Sequence, residues 1–306
     1  MYIWIGLGIF ATFLWAVTNH IDKYLVSKMF KGSGVGTLMI FSSLVTGAIM
    51  SPIFFIISNG KVGIDGISIV WLYWASAFCL LALYMYLKAL EKDDASTVIA
   101  VFQTIPVFSY FLGLIFLNEV LTAKQIVACL VIMVAAVLIT IDFSEKDKHK
   151  DKIKALIFML ISSFGYAMSF FLFKFVASNM SFYVTAFWEQ IAFFVNGILM
   201  LVLIKKYRKE FIAVVRSNGK AILSLNMLNE LLNSIAKVMY NYASMSIPLA
   251  ILWALNGLQP FFVFLIGLVL TIILPNIVCE DINKMVIVKK VSCIVLSIIG
   301  LLLLYF

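Results

Sequence analysis

Ten apolar runs, each near the length of a bilayer crossing, alternate along the chain with short polar or glycine-rich breaks. The pattern predicts helical spans at Tyr2–Lys23, Thr37–Ser58, Ile69–Leu90, Ala95–Leu117 and Ala123–Ile141. Five more follow at Ala155–Val176, Phe182–Ile204, Ala221–Met245, Ile247–Ile273 and Met285–Tyr305. Between the fifth and sixth runs, Asp142–Lys154 is the most charged stretch and reads as a solvated linker. A basic loop with Lys205, Lys206, Arg208, Lys209, Arg216 and Lys220 separates the seventh from the eighth.

The eighth run breaks the apolar rule. At 3.6 residues per turn, Asn226, Glu230, Asn233, Lys237 and Asn241 fall along one face, with Asn229 and Tyr240 beside them. An ionised Glu or Lys at the bilayer centre costs roughly 2.5–3.5 kcal/mol on the insertion scale. Two such groups near mid-span therefore require a wet cavity or a protein partner. One reading is a helix lining a solute pathway. The other is a structural Glu–Lys pair with amides bonding neighbouring helices.

The two halves of the chain echo one another. A shift of 154 residues places Met85-Tyr86 on Met239-Tyr240, Ala89 on Ala243 and Pro106 on Pro260. A shift of 151 places Trp15-Ala16 over Tyr166-Ala167 and Lys23 over Lys174. Five spans per half is an odd number, so the second copy must enter the bilayer from the opposite side. The expected fold is all-α and integral to the membrane: ten transmembrane helices as two inverted five-helix repeats, over 1–142 and 154–306, joined by a charged linker at 143–153. The first shift sets the eighth-run residues Asn226, Glu230, Asn233 and Lys237 over Leu72, Ser76, Cys79 and Leu83. The architecture itself therefore does not demand the stripe.

Composition agrees: 64% of the 306 residues are hydrophobic, 12% are charged and mean hydropathy is +1.09. That leaves no length for a soluble domain. The net charge of +8 sits in the links between spans, where positive-inside bias accounts for it, so no nucleic-acid partner is expected. The links after odd-numbered spans hold nearly all the basic residues, which predicts both termini on the non-cytoplasmic side of the cell membrane. Four cysteines without a C-x-x-C pair and two histidines predict neither disulfide nor metal framework, and no cofactor. The first run lacks a basic leader and reads as a retained span.

The segment Gln103-Thr104-Ile105-Pro106, then Leu117-Asn118-Glu119-Val120-Leu121-Thr122 and Gln125, resembles the EamA pattern of the drug/metabolite transporter superfamily. There a mid-helix proline is followed by a glutamate and a leucine-threonine turn. The opening helix from Trp15 to Lys23 is similar as well. In the second half Pro260 is in place, but a longer link with Pro275, Cys279, Glu280, Asp281 and Lys284 replaces the glutamate turn. The resemblance implies a transporter with a central cavity lined by the first four helices of each half. It leaves the fifth and tenth spans peripheral, where a homodimer contact would fit.

The candidate substrate-binding residues are Trp15, Asn19, Gln103, Tyr166, Glu189, Asn226, Glu230, Asn233, Lys237, Trp253 and Asn256. Glu189 and Glu230 are the candidate proton-coupling pair, since a carboxylate that loads a proton on one side and releases it on the other is what such a carrier needs. Lys23 and Lys174 read as anion ligands or as snorkelling helix-end lysines, and His20 as a satisfied interfacial histidine. The expected function is secondary active transport, by alternating access, of a small polar or zwitterionic metabolite such as an amino acid, as proton-coupled export. A carrier of cationic or lipophilic drugs is the alternative. A membrane enzyme would need a denser polar cluster than Asn19-His20-Asp22, and a non-transporting assembly protein would fill the stripe with a partner helix.

Overall fold

The computed structural model describes residues 2–28, 35–90, 101–140, 149–217, 220–273 and 284–305, all helices and short links with no strand among them. The helices are α1 (Tyr2–Lys28), α2 (Val35–Ile57), α3 (Gly66–Leu90), α4 (Ile105–Phe116), α5 (Ala123–Thr140) and α6 (His149–Ala177). After them come α7 (Phe182–Leu203), α8 (Lys205–Ser217), α9 (Lys220–Ser244), α10 (Leu249–Leu255), α11 (Gln259–Ile273) and α12 (Lys284–Tyr305).

Six stretches are long and apolar enough to cross a membrane: Ile3–Asp22, Val35–Ile57, Gly66–Ala89, Ile153–Ala177, Phe182–Leu203 and Leu249–Ile273. The expected count of ten is therefore met only in part. The described parts of α4, α5 and α12 give shorter apolar helices. Helix α9 has 25 residues, but its polar stripe keeps it out of the apolar set.

Two boundaries differ from the sequence reading. The presumed linker is already helical from His149, where α6 begins, so Lys150, Asp151 and Lys152 belong to a helical extension, while Asp142 to Lys148 lie outside the described residues. The presumed basic loop is helix α8. Phe211 and Val214, three apart, turn inward: Val214 packs with Leu25, and Phe211 lies 6.0 Å from Phe41. The basic density at 205–220 masked that apolar edge. The longer second-half link, Pro275 to Asp281, lies outside the described residues.

The helices pair α1 with α9, α3 with α6, α2 with α7 and α5 with α12. The α2–α7 crossing is close because glycines face it from both sides. A Cβ at Gly47 would sit 2.5 Å from the Cβ of Phe194, and one at Gly197 would sit 3.0 Å from Ser43. Apolar side chains on the outside, such as Val127, Leu130 and Val134 of α5, are exposed as lipid-facing positions require.

Both predicted prolines break their spans in the same way. A 3₁₀ turn at Phe102–Thr104 precedes α4, whose second residue is Pro106. A second turn at Asn256–Leu258 precedes α11, whose second residue is Pro260. Proline lacks the N–H that would continue the preceding ladder, so the helix tightens and restarts there. The ninth span is thus two helices with a turn between them.

Candidate functional site

A cavity of about 220 Å³ opens where α1, α2, α3 and α9 meet the two 3₁₀ turns. Its wall uses the C-terminal half of α1 (Trp15, Thr18, Asn19, Asp22), the start of α2 (Ser42, Thr46) and the second half of α3 (Cys79, Leu80, Leu83, Tyr86). Helix α9 contributes Glu230, Asn233, Ser234 and Lys237.

The stripe on α9 is met helix by helix. Asn229 donates to Asp22 of α1 at 2.6 Å, and Thr18 donates to Oδ1 of Asn233 at 3.1 Å. Ser42 of α2 donates to Glu230 at 2.7 Å, and Thr46 shares a hydrogen bond with Ser234 at 3.0 Å. One turn further on, Lys237 lies 3.0 Å from Oε1 of Glu189 on α7, off the line of a hydrogen bond. Asn241 donates to the other oxygen of Glu189 at 3.3 Å. The Lys237 ammonium also stands 3.9 Å from the centre of the Phe193 ring, a cation–π contact. Three neighbouring helices thus meet the polar stripe, but only Lys237 finds an opposite charge.

Below the stripe the wall is aromatic. Trp15 and Trp253 stack at 6.3 Å with planes 7° apart, and Tyr240 lies 4.9 Å from Trp15 and 5.2 Å from Trp253. Phe170 closes edge-on against Trp253 at 5.0 Å, and Tyr166 lies 6.4 Å from it. Such rings offer apolar area and a negative face at small conformational cost.

Of the residues singled out in the sequence, the cavity gathers Trp15, Asn19, Tyr166, Glu230, Asn233, Lys237, Trp253 and Asn256. Three others are not on its wall. Glu189 is buried behind Lys237, and Asn226 is buried one turn above Glu230. Gln103 packs in the 3₁₀ turn with its amide oxygen against Gly257. The Glu–Lys pair within α9 does not form, because Lys237 takes Glu189 instead and Glu230 takes Ser42. Lys174 neither binds in the cavity nor snorkels: it is buried, pairs with Glu119 and donates to the Ile247 carbonyl at 2.9 Å. His20 bonds the Val263 carbonyl at 2.9 Å and is satisfied there. The Lys23 side chain lies outside the described residues.

Asp22 is the residue the sequence reading missed. The first span was expected to end at Lys23, which made Asp22 a helix-end group; α1 runs on to Lys28 and carries Asp22 into the wall. Ser42 and Thr46 were also missed, and their spacing of one helical turn was the available signal. Among the described residues no group of three His, Cys, Asp or Glu is placed to hold a metal.

The fold and this wall define a multi-pass membrane protein with a polar interior site. Residues 2–141, a little under half of the chain, match the model of the EamA-like transporter family, so the first half is similar to that family. A solved crystal structure of another protein aligns over 99% of this chain and 96% of that one, with a TM-score of 0.70 at 13% identity, which shows a shared fold. No curated protein matches.

Proposed function

We propose that the protein is a secondary active carrier working by alternating access across the cell membrane. Its cargo is a small zwitterionic metabolite such as an amino acid, and export is coupled to protons through Glu189 and Glu230. The observation that carries this reading is the cavity itself: carboxylates, a lysine and amides border one side, and stacked rings line the other. Groups of that polarity are tolerated at mid-span only beside water, a partner or a solute.

Reciprocal packing supports the ten-span inverted repeat. In that scheme α3 on α6 answers α9 on α1, α2–α7 and α5–α12 answer themselves, and the two 3₁₀ turns are counterparts. The halves then meet at the cavity, as carriers of this plan require. The volume of about 220 Å³ suits a metabolite better than a bulky drug, whose pockets run to about 300–1,000 Å³. The lipid-facing sides of α5 and α12 are where a homodimer would form.

Uptake of labelled amino acids into proteoliposomes, with and without an imposed pH gradient, tests the reading. The expected result is gradient-driven accumulation that Glu230→Gln makes indifferent to pH. Absence of uptake for every amino acid tried, with folded protein, would overturn it.

A further inference from the structure

We propose that Asp22 and Glu230 together form a subsite for a primary ammonium group, so that the cargo carries an extra positive charge, as a basic amino acid does. The inference rests on the carrier reading above and names the chemical class its site selects.

The two carboxylates reach the wall of the same cavity from different helices, α1 and α9. Each is held by a neutral donor: Asn229 on Oδ1 of Asp22 and Ser42 on Oε2 of Glu230. One oxygen of each is thereby fixed, leaving Oδ2 and Oε1 to accept from a third group. Neither carboxylate is paired with a cationic side chain among the described residues. Carboxylates on a wall inside the membrane are costly to ionise, and a bound cation offsets that cost.

An independent observation points the same way. Asn256, 7% exposed and on the cavity wall, has an amide oxygen with no hydrogen-bond partner. It is a further acceptor, suited to a ligand rich in N–H donors. The faces of Trp15 and Trp253 cover the apolar part of such a ligand and favour its charge.

Lys237 does not supply the missing charge. It is committed to Glu189 and lies seven residues from Glu230, about 10 Å of helix rise. An α-amino acid without a charged side chain carries ammonium and carboxylate on one carbon and does not reach both groups. A basic amino acid does: its side-chain ammonium enters the Asp22–Glu230 pair while its carboxylate turns toward Lys237.

The test is equilibrium binding to the purified full-length protein, comparing L-lysine, L-leucine, Nε-acetyl-L-lysine and 1,5-diaminopentane. Lysine and the diamine are expected to bind at least tenfold tighter than leucine or acetyl-lysine. Asp22→Asn and Glu230→Gln should each weaken lysine tenfold or more. Equal binding of lysine and acetyl-lysine, or no binding of lysine and the diamine, would overturn the proposal on the unaltered protein, whatever the variants' folding. Transport of leucine without lysine binding sinks this subsite and leaves the carrier standing. Lysine binding without any uptake does the reverse.

Discussion

Two clusters of charged side chains, one around Glu119 and one on the cavity wall, differ in how fully their members are bonded. Lys174 of α6 meets Glu119 and the Ile247 carbonyl, while the Leu249 amide, at the start of α10, donates to Glu119 at 3.0 Å. Both oxygens of Glu119 are in use, and the carboxylate also faces the positive end of α10. Three segments are tied together by one saturated group. In the cavity, by contrast, Asp22 and Glu230 take one neutral hydrogen bond each, and the Asn256 oxygen takes none. A saturated cluster holds helices; an unsaturated one beside a cavity leaves acceptors for the ligand proposed above.

Breaking the saturated cluster should have the largest effect. Lys174→Met or Glu119→Gln strands a buried partner, and removing half of such a pair costs about 3–5 kcal/mol. Thermal and denaturant unfolding in detergent should show that loss for each single change. The double change should recover most of it, because no charge is then stranded. Single variants as stable as the parent would erase the distinction between the two clusters.

The cavity pair should respond less in stability and more in ligand choice. Lys237→Met leaves Glu189 buried without its cation but still accepting from Asn241, a loss of about 3 kcal/mol. The same variant should weaken L-lysine, whose carboxylate it no longer meets, and spare 1,5-diaminopentane, which has none. Parallel binding titrations of the two ligands separate these effects. An equal loss for both would make Lys237 a structural residue like Lys174.

The contrast between the clusters was only half legible in the sequence. The stripe on α9 showed at once because helical periodicity puts Glu230, Asn233 and Lys237 on one face of an otherwise apolar run. The prolines marked both 3₁₀ turns. Of the partners, Glu189 could be weighed as the group that neutralises Lys237, and the structure pairs them; nothing near Lys174 in the chain names Glu119, because that partner comes from another segment. The motif glutamate became intelligible only in three dimensions. Asn118 at φ 53° ends α4 in the left-handed region, which sends the chain back so that the Glu119 amide bonds the Gly113 carbonyl at 3.0 Å. Thr122 and Gln125 then cap α5 reciprocally. Asp22 was hidden by a boundary error of a few residues, since the lysines after it looked like a helix end.

A carboxylate outside the membrane supplies the smallest effect and the control for the others. Asp65 precedes α3 and accepts from the Ser68 amide at 2.9 Å and the Ser68 hydroxyl at 2.7 Å, an N-terminal cap. Those bonds favour the ionised form and hold its pKa below the ordinary aspartate value. A group lowered in the folded state adds stability above its unfolded pKa and loses it as pH falls through the folded one. Asp65→Ala should therefore lower the unfolding midpoint slightly at pH 7, and the gap should close below about pH 4. A gap that persists unchanged in acid would mean that the cap acts through geometry alone. A gap as wide as that of Glu119→Gln would mean that burial is not what separates the strong charges of this protein from the weak ones.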